Sequence, residues 1–425
     1  MEKITNEYKD TILKARLNNG LDVIIVHKPG FSSSCAYFGT PYGALDAYQT
    51  VDGKEVRIPL GSAHFLEHKL FEDEEGDILG QFTRLGANAN AFTAYDQTVY
   101  YFSTAAKDLH APLNLLLDFV QKFNVSEESV EKEKDIIVQE LLSYQQIPDM
   151  RMIQEMDQCL YENNLIRYDI AGSEESVRKT TKEDLEAAYR YNYHPQKMKL
   201  VVVSAQKPEV LLDIIRENQE SKQFSAMHGV KRLRLSEKKE VYRKRHSLKM
   251  DVQIPKVAIA FKMEPKDETE KERMKRELCF RYILEANFGT SNAILQKWLD
   301  EQIVSDYFYY ATDFSEDYAY LMFYNETERI ADFLRRLRYR MKRVDPAKIP
   351  DALLERLKKK FLGQAVISLD NPEDLGLSIL KASYSSLDYY DYLRMIPSVT
   401  KDDLIEVWKQ VDLSNSVTVR ILPED

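Results

Sequence analysis

The segment Ser62-Ala63-His64-Phe65-Leu66-Glu67-His68-Lys69-Leu70-Phe71-Glu72 packs two imidazoles and a carboxylate into the five residues from His64 to His68. On a helix His64 and His68 stand four apart and share a face, and Glu67, three from His64, projects near it. Two imidazoles are good zinc ligands, and a catalytic zinc takes three protein ligands and leaves one position for water. Zinc lowers the pKa of such a water to about 7, and an adjacent carboxylate can take its proton as the water attacks a carbonyl. The bland alternative is a pair of hydrogen-bonded histidines on an ordinary helix, and so short a pattern does not separate the two readings alone.

A third ligand has to come from elsewhere in the chain. The run EKEKDIIVQELL carries Glu133 and Glu140, seven residues and therefore two turns apart along one face. Either could approach the histidines, although acidic residues on a helix are most often simply solvated. All seven histidines fall at or before His246, so the later part of the chain cannot repeat a two-histidine site.

The elements around these residues are readable from turn chemistry and periodicity. ILKARLNNGLDVIIVHKP predicts two strands joined at Asn19-Gly20, a hairpin signal, and SSSCAYFGTP a third strand. The histidine segment has helical character, with Ser62 as its expected cap and Phe65, Leu66 and Phe71 apolar. DILGQFTRLG reads as a short helix closed by Gly86, and NANAFTAYDQTVYYFST as two strands with a turn near Asp96. Two longer helices follow, the second opened by Ser126 and by acidic residues that suit a helix N-terminus. KMKLVVVSAQ then predicts a buried strand and PEVLLDIIRENQ a helix. The order recurs: TKEDLEAAYRYNYHPQKMKLVVV at Thr181 and TKDDLIEVWKQVDLSNSVTVRIL at Thr400 align without a gap, 219 residues apart. A duplicated domain of roughly 200 residues accounts for this better than two unrelated domains. The expected class is α+β, with two duplicated domains at 1–222 and 223–425, each a mixed, mainly antiparallel sheet flanked by helices.

The bulk properties exclude several classes. A chain of 425 residues is too long for one comfortable core. The net charge of −10 argues against a nucleic-acid partner, which calls for a clustered basic surface. The basic stretch in ESKQFSAMHGVKRLRLSEKKEVYRKRH could attract an acidic peptide or surface, but reads more simply as a solvated linker entering a strand. Cys35, Cys159 and Cys279 form no paired motif and read as free thiols of a reducing compartment. The polar start MEKITNEYKD and the lack of any membrane-length apolar run lead to the expectation of a cytoplasmic protein with no membrane span.

His64-Phe65-Leu66-Glu67-His68 is an H-x-x-E-H element, the inverse of the thermolysin-type order. With the duplicated halves it makes nearly the whole chain resemble the pitrilysin and insulinase-type zinc peptidases, in particular their short members similar to mitochondrial processing peptidase. The resemblance implies one zinc per chain, with His64 and His68 as its first two ligands and Glu67 as general base. It implies Glu140, 72 residues after His68, as third ligand and Glu133 as the earlier, supporting glutamate of the catalytic set. In the repeat, Gln364 falls nearest to the Glu140 position. The family's substrate-pairing strand, typically N-A-x-T, matches Asn90-Ala91-Phe92-Thr93, where a peptide would add as an extra strand.

Active members of that family also carry an arginine and a tyrosine seven residues apart in a catalytically silent half. Tyr307 can stand for the tyrosine, but the residue seven earlier is Asp300, flanked by Trp298 and Leu299. Short members form a clamshell from two chains, so the resemblance implies a zinc-bearing subunit whose homologous, non-catalytic partner supplies the Arg/Tyr pair. The expected activity is endopeptidase cleavage of peptides or unfolded segments by Glu67-assisted attack of zinc-bound water. A non-enzymatic scaffold subunit and a self-sufficient homodimer are the rival readings.

Overall fold

A computed structural model describes residues 2–73, 76–385 and 387–424. They form two compact units, each assembled from separated stretches of the chain. The first comprises residues up to Leu141 with Asp169–Leu233 and Ile367–Tyr389; the second comprises Leu142–Tyr168, Arg234–Val366 and the residues from Tyr390 onward.

The first unit is built on a seven-stranded sheet. Its strands are β1 (Glu2–Thr5), β2 (Thr11–Arg16), β3 (Asp22–His27), β4 (Ser34–Thr40), β5 (Ala87–Thr93), β6 (Thr98–Thr104) and β7 (Lys199–Ser204), in the order β1-β2-β3-β7-β4-β6-β5. Only β3 and β7 run parallel; every other neighbouring pair is antiparallel. The β2–β3 turn uses Gly20 at φ +89°, and the Asn19 side chain accepts a hydrogen bond from Leu21 N at 3.1 Å, as the Asn-Gly pair predicts. Strand alternation sends Leu13, Val23, Ile25, Phe38, Tyr100, Phe102, Leu200 and Val202 into one core. That core is covered by α1 (Ser62–Leu70), α3 (His110–Val120) and the helix Pro208–Glu220, with α2 (Ile78–Arg84) against β5. On α1, Ala63, Phe65, Leu66 and Leu70 are buried. Each large one contributes about 1.5–3 kcal/mol of burial free energy, which pins the helix and leaves its other face to the histidines.

The second unit repeats this plan with β8 (Arg245–Met250), β9 (Lys256–Met263), β10 (Tyr309–Phe314), β11 (Ala319–Glu326) and β12 (Ser416–Pro423), in the order β8-β12-β9-β11-β10. This is β3-β7-β4-β6-β5 strand for strand, again with a single parallel pair, β8–β12. The register repeats as well: Thr93 faces Thr98 in the first unit, and Phe314 faces Ala319 in the second, each 221 residues later. The expected α+β class with two related sheets is thus the observed one.

The repeat does not reveal that each unit takes one helix from the other half of the sequence. The helix Pro372–Ser383 packs on β7 and β4 of the first unit, where Gly376 lies so close to Tyr37 that a Cβ would sit 2.8 Å from its ring. Helix α5 (Pro148–Leu160) packs on β12, β9 and β8 of the second. His246 lies on β8 and pairs with Glu155 of α5 at 3.1 Å, so the second unit holds one imidazole and still no His pair.

One expectation about α1 is corrected. Ser62 is its first helical residue, not its cap, and its hydroxyl donates backwards to the Pro59 carbonyl at 2.7 Å. The cap position belongs to Gly61 at φ +87°, where an added Cβ would meet the Ala171 carbonyl oxygen at 2.1 Å. Only glycine tolerates both the left-handed backbone and that contact. All three cysteines are free and buried. No described helix is long and apolar enough to cross a membrane. Gly61→Ala is therefore expected to cost more than about 1 kcal/mol and to lower the thermal unfolding midpoint; an unchanged midpoint would contradict this account of how α1 starts.

Candidate active site

Helix α1 presents His64 and His68 on the face opposite its buried apolar residues, with ring centroids 4.6 Å apart. The glutamates arrive from α4 (Glu127–Gln145), anchored by Val130, Ile137, Val138 and Leu141 in the core. Ser126 opens α4 as expected, its Oγ accepting from Ser129 N at 3.1 Å. The two-turn separation of Glu133 and Glu140 lets both reach the histidines. Glu140 Oε2 lies 3.8 Å from His64 Nε2 and 3.4 Å from His68 Nε2. Glu133 Oε1 lies 3.0 Å from His68 Nδ1, on the other edge of the same ring. Glu133 thus orients the imidazole while its Nε2 faces Glu140.

Among the described residues, His64, His68 and Glu140 form the group able to hold a metal ion, with one ligand atom each, all within 4.8 Å of one another. The donor set suits zinc: ligands bonded at about 2.0–2.1 Å to a tetrahedral ion sit about 3.3 Å apart. The His68–Glu140 separation of 3.4 Å is already at that value. His64 Nδ1 is buried and has no hydrogen-bond partner among the described residues.

Electrostatics separates the two imidazoles. Burial, reinforced by the neighbouring His68, lowers the His64 pKa to about 4. Burial also pulls His68 down, but hydrogen bonds to Glu133 and Glu140 outweigh it and carry His68 up to about 9. Glu133 is lowered to about 2, chiefly by its hydrogen bond to His68, with Lys69 assisting against the cost of burial. The Lys69 side chain is fully buried, with its Nζ 3.2 Å from Glu133 Oε2, 3.3 Å from the Ser129 carbonyl and also bonded to Glu72. Sequence reasoning passed over Lys69 because a lysine on an amphipathic helix ordinarily reads as solvated.

Glu67 points to the edge of the sheet. Thr93 Oγ1 donates to Glu67 Oε2 at 2.7 Å, and Thr93 ends β5, the outermost strand. Burial raises the Glu67 pKa, and the Thr93 hydrogen bond opposes the rise without cancelling it. Asn90, Ala91 and Phe92 lie on the same edge strand, with β6 as the only strand paired to it among the described residues. Asn90 is exposed and accepts from Ala91 N, and Phe92 packs edge-on to Tyr101.

The clustered residues all belong to the first unit. Tyr307 belongs to the second, in the turn before β10, where the residue is 67% exposed. Asp300 ends the helix Ala293–Asp300 and accepts from Gln296 at 2.9 Å. Gln364 lies in the helix Asp351–Ile367. Glu133→Gln should weaken zinc binding by about 10–100-fold, measured by competition with a chromophoric chelator, and an unchanged affinity would contradict the orienting role.

Comparison with known proteins places this geometry in context. The family model described as insulinase (peptidase family M16) matches residues 55–174, and that of the peptidase M16 inactive domain matches residues 179–361. The chain is 32% identical to a Bacillus subtilis protein described as the uncharacterized zinc protease YmfH, over 98% of both chains. It is 26% identical to the human mitochondrial-processing peptidase subunit beta over 37% of this chain and 33% of that one. The crystal structure of an M16-like chain from Alicyclobacillus acidocaldarius superposes with a TM-score of 0.94 at 31% identity, covering 99% of this chain and 100% of the other.

Proposed function

Because the chain belongs to the insulinase family of peptidases, M16, we propose that it is a zinc-dependent endopeptidase acting on peptides or unfolded segments. The observation that carries the reading is the convergence of His64, His68 and Glu140 ligand atoms within 4.8 Å, beside a raised-pKa carboxylate at a sheet edge.

His64, His68 and Glu140 would hold the zinc, which when bound supplies Lewis acidity and makes a water acidic at neutral pH. Glu67 accepts a proton from the water that attacks the scissile carbonyl. A carbon–oxygen bond forms, the carbon–nitrogen bond breaks, and Glu67 passes the proton to the departing amine. Its burial favours this task, because a carboxylate with raised proton affinity is a better carrier. Thr93 fixes one Glu67 oxygen to β5, so a substrate added to that edge through main-chain hydrogen bonds is held in register with the base. Asn90, Ala91 and Phe92 form the receiving strand.

A second chain belongs to the same reading. Tyr307 stands exposed, and Asp300 occupies the place where an arginine would accompany it. A homologous, non-catalytic subunit supplying an Arg/Tyr pair would complete the substrate contacts, and this chain would be the zinc-bearing half. Cleavage of a peptide library by this chain alone should be weak and should rise when the homologous chain is added. Full activity alone would overturn the two-chain assignment.

Glu67→Gln should retain zinc and lose about 10²–10⁴-fold in cleavage rate, read as bound metal and new amino termini on the same sample. Substantial residual activity in that variant would remove Glu67 from its role.

A further inference from the structure

Near its end, the basic stretch read above as a linker reaches Arg245, which opens β8, the edge strand of the second unit's sheet. In the parallel pairing of β8 with β12, Arg245 lies opposite Thr418. Arg420, two residues along β12, projects on the same face as Thr418. The helix Ile330–Met341 adds a third guanidinium: Arg338 Nη2 donates to Thr418 Oγ1 at 3.0 Å. Thr418 is therefore bonded to Arg338, faces Arg245 across the ladder, and shares its side of β12 with Arg420.

Their neighbours supply no counter-charge. Burial and then repulsion from Arg245 and Arg420 lower the proton affinity of Arg338, and no carboxylate acts in the opposite sense. Among the described residues none of the three guanidiniums forms an ion pair. This is not a shortage of acids, because the chain has 69 acidic side chains against 59 basic ones. Nor is it general to that helix: Arg335 pairs with Asp332 at 2.8 Å and Arg336 pairs with Glu301.

Uncompensated like charges held by a folded sheet and helix oppose one another until an anion joins them. A carboxylate has two oxygens and one charge, enough for a single guanidinium fork. A phosphate group offers three or four oxygens and nearly two charges, which matches three guanidiniums carried by three neighbouring elements, two strands and a helix. We propose that Arg245, Arg338 and Arg420 form a binding site for a phosphate group, either free phosphate or the terminal group of a small phosphorylated molecule. The site lies wholly in the second unit and uses none of the residues assigned to peptide cleavage, so it stands or falls independently of that reading.

The test uses the full-length, zinc-loaded chain, titrated with inorganic phosphate or a nucleoside monophosphate against chloride at matched ionic strength, by calorimetry and thermal melting. Phosphate should raise the melting midpoint of the wild-type chain. In the R245Q/R420Q double variant its affinity should fall by at least about tenfold, which separates this site from any binding at the metal. The phosphate-free midpoint of the double variant should equal or exceed that of the wild type, because repulsion around Arg338 is relieved. If the double variant folds poorly, R245Q at an exposed strand position gives the same comparison. Tighter binding of the nucleotide assigns the source to a phosphorylated molecule, and equal binding assigns it to free phosphate. An equal phosphate response in wild type and variant, no response beyond chloride, or protection by an oligoglutamate peptide but not by phosphate would each overturn the proposal.

Discussion

The arrangement of the site depends on Glu133, a carboxylate shared between an imidazole and a buried ammonium. One oxygen holds His68 Nδ1 at 3.0 Å and the other lies 3.2 Å from Lys69 Nζ. Lys69 and His68 are consecutive on α1, so a single side chain from α4 fixes both the rotation of the ring and the spacing of the two helices. Removing one member of a buried charge pair strands the other, at a cost of about 3–5 kcal/mol. The network therefore resists rearrangement, and the same constraint that stabilises the helix pair aims His68 Nε2 at Glu140. Site geometry and local stability are consequences of one contact.

The two units show what duplication preserved and what it let go. Both carry an edge strand from which a threonine donates to a half-buried helical glutamate: Thr93 to Glu67 at 2.7 Å, and Thr312 to Glu277 at 2.9 Å. Burial pushes Glu277 up to about 7, the same direction as Glu67. The second unit thus also has a raised carboxylate at its sheet edge, but two residues out of register, since Thr93 corresponds to Phe314 and Thr312 to Ala91, and it has no imidazole pair. A basic carboxylate beside a strand edge is compatible with the fold on its own; the His64–His68 pair is what the first unit adds.

Much of this was legible in the residues. Asn19-Gly20 marked the first hairpin because Gly20 takes the left-handed backbone there and Asn19 accepts from Leu21 N, and the gapless match from Thr181 to Thr400 marked the duplication. His64, Glu67 and His68 were readable as a helical face from their spacing alone. Glu140 was not, since seven-residue spacing made Glu133 equally eligible and only the family resemblance distinguished them. The structure divides them by ring edge, a distinction that depends on how α1 and α4 cross. Lys69 was invisible because its burial comes from Glu133 and Ser129, both about sixty residues away. The exchanged helices were equally hidden: the repeat specifies what each segment becomes, but the surface that receives it is set by packing. Ser62 misled because the helix already includes it, with Gly61 at the cap and the Ser62 hydroxyl bonded to the Pro59 carbonyl.

The central claim is that two imidazoles and one carboxylate from α1 and α4 form a zinc site. Zinc-edge X-ray absorption on the purified, zinc-reconstituted chain tests it most directly. The account predicts one zinc per chain with two imidazole nitrogens and carboxylate oxygen at about 2.0–2.1 Å and no sulfur scatterer near 2.3 Å. A sulfur ligand, a single imidazole, or zinc that fails to remain bound at one per chain would contradict it.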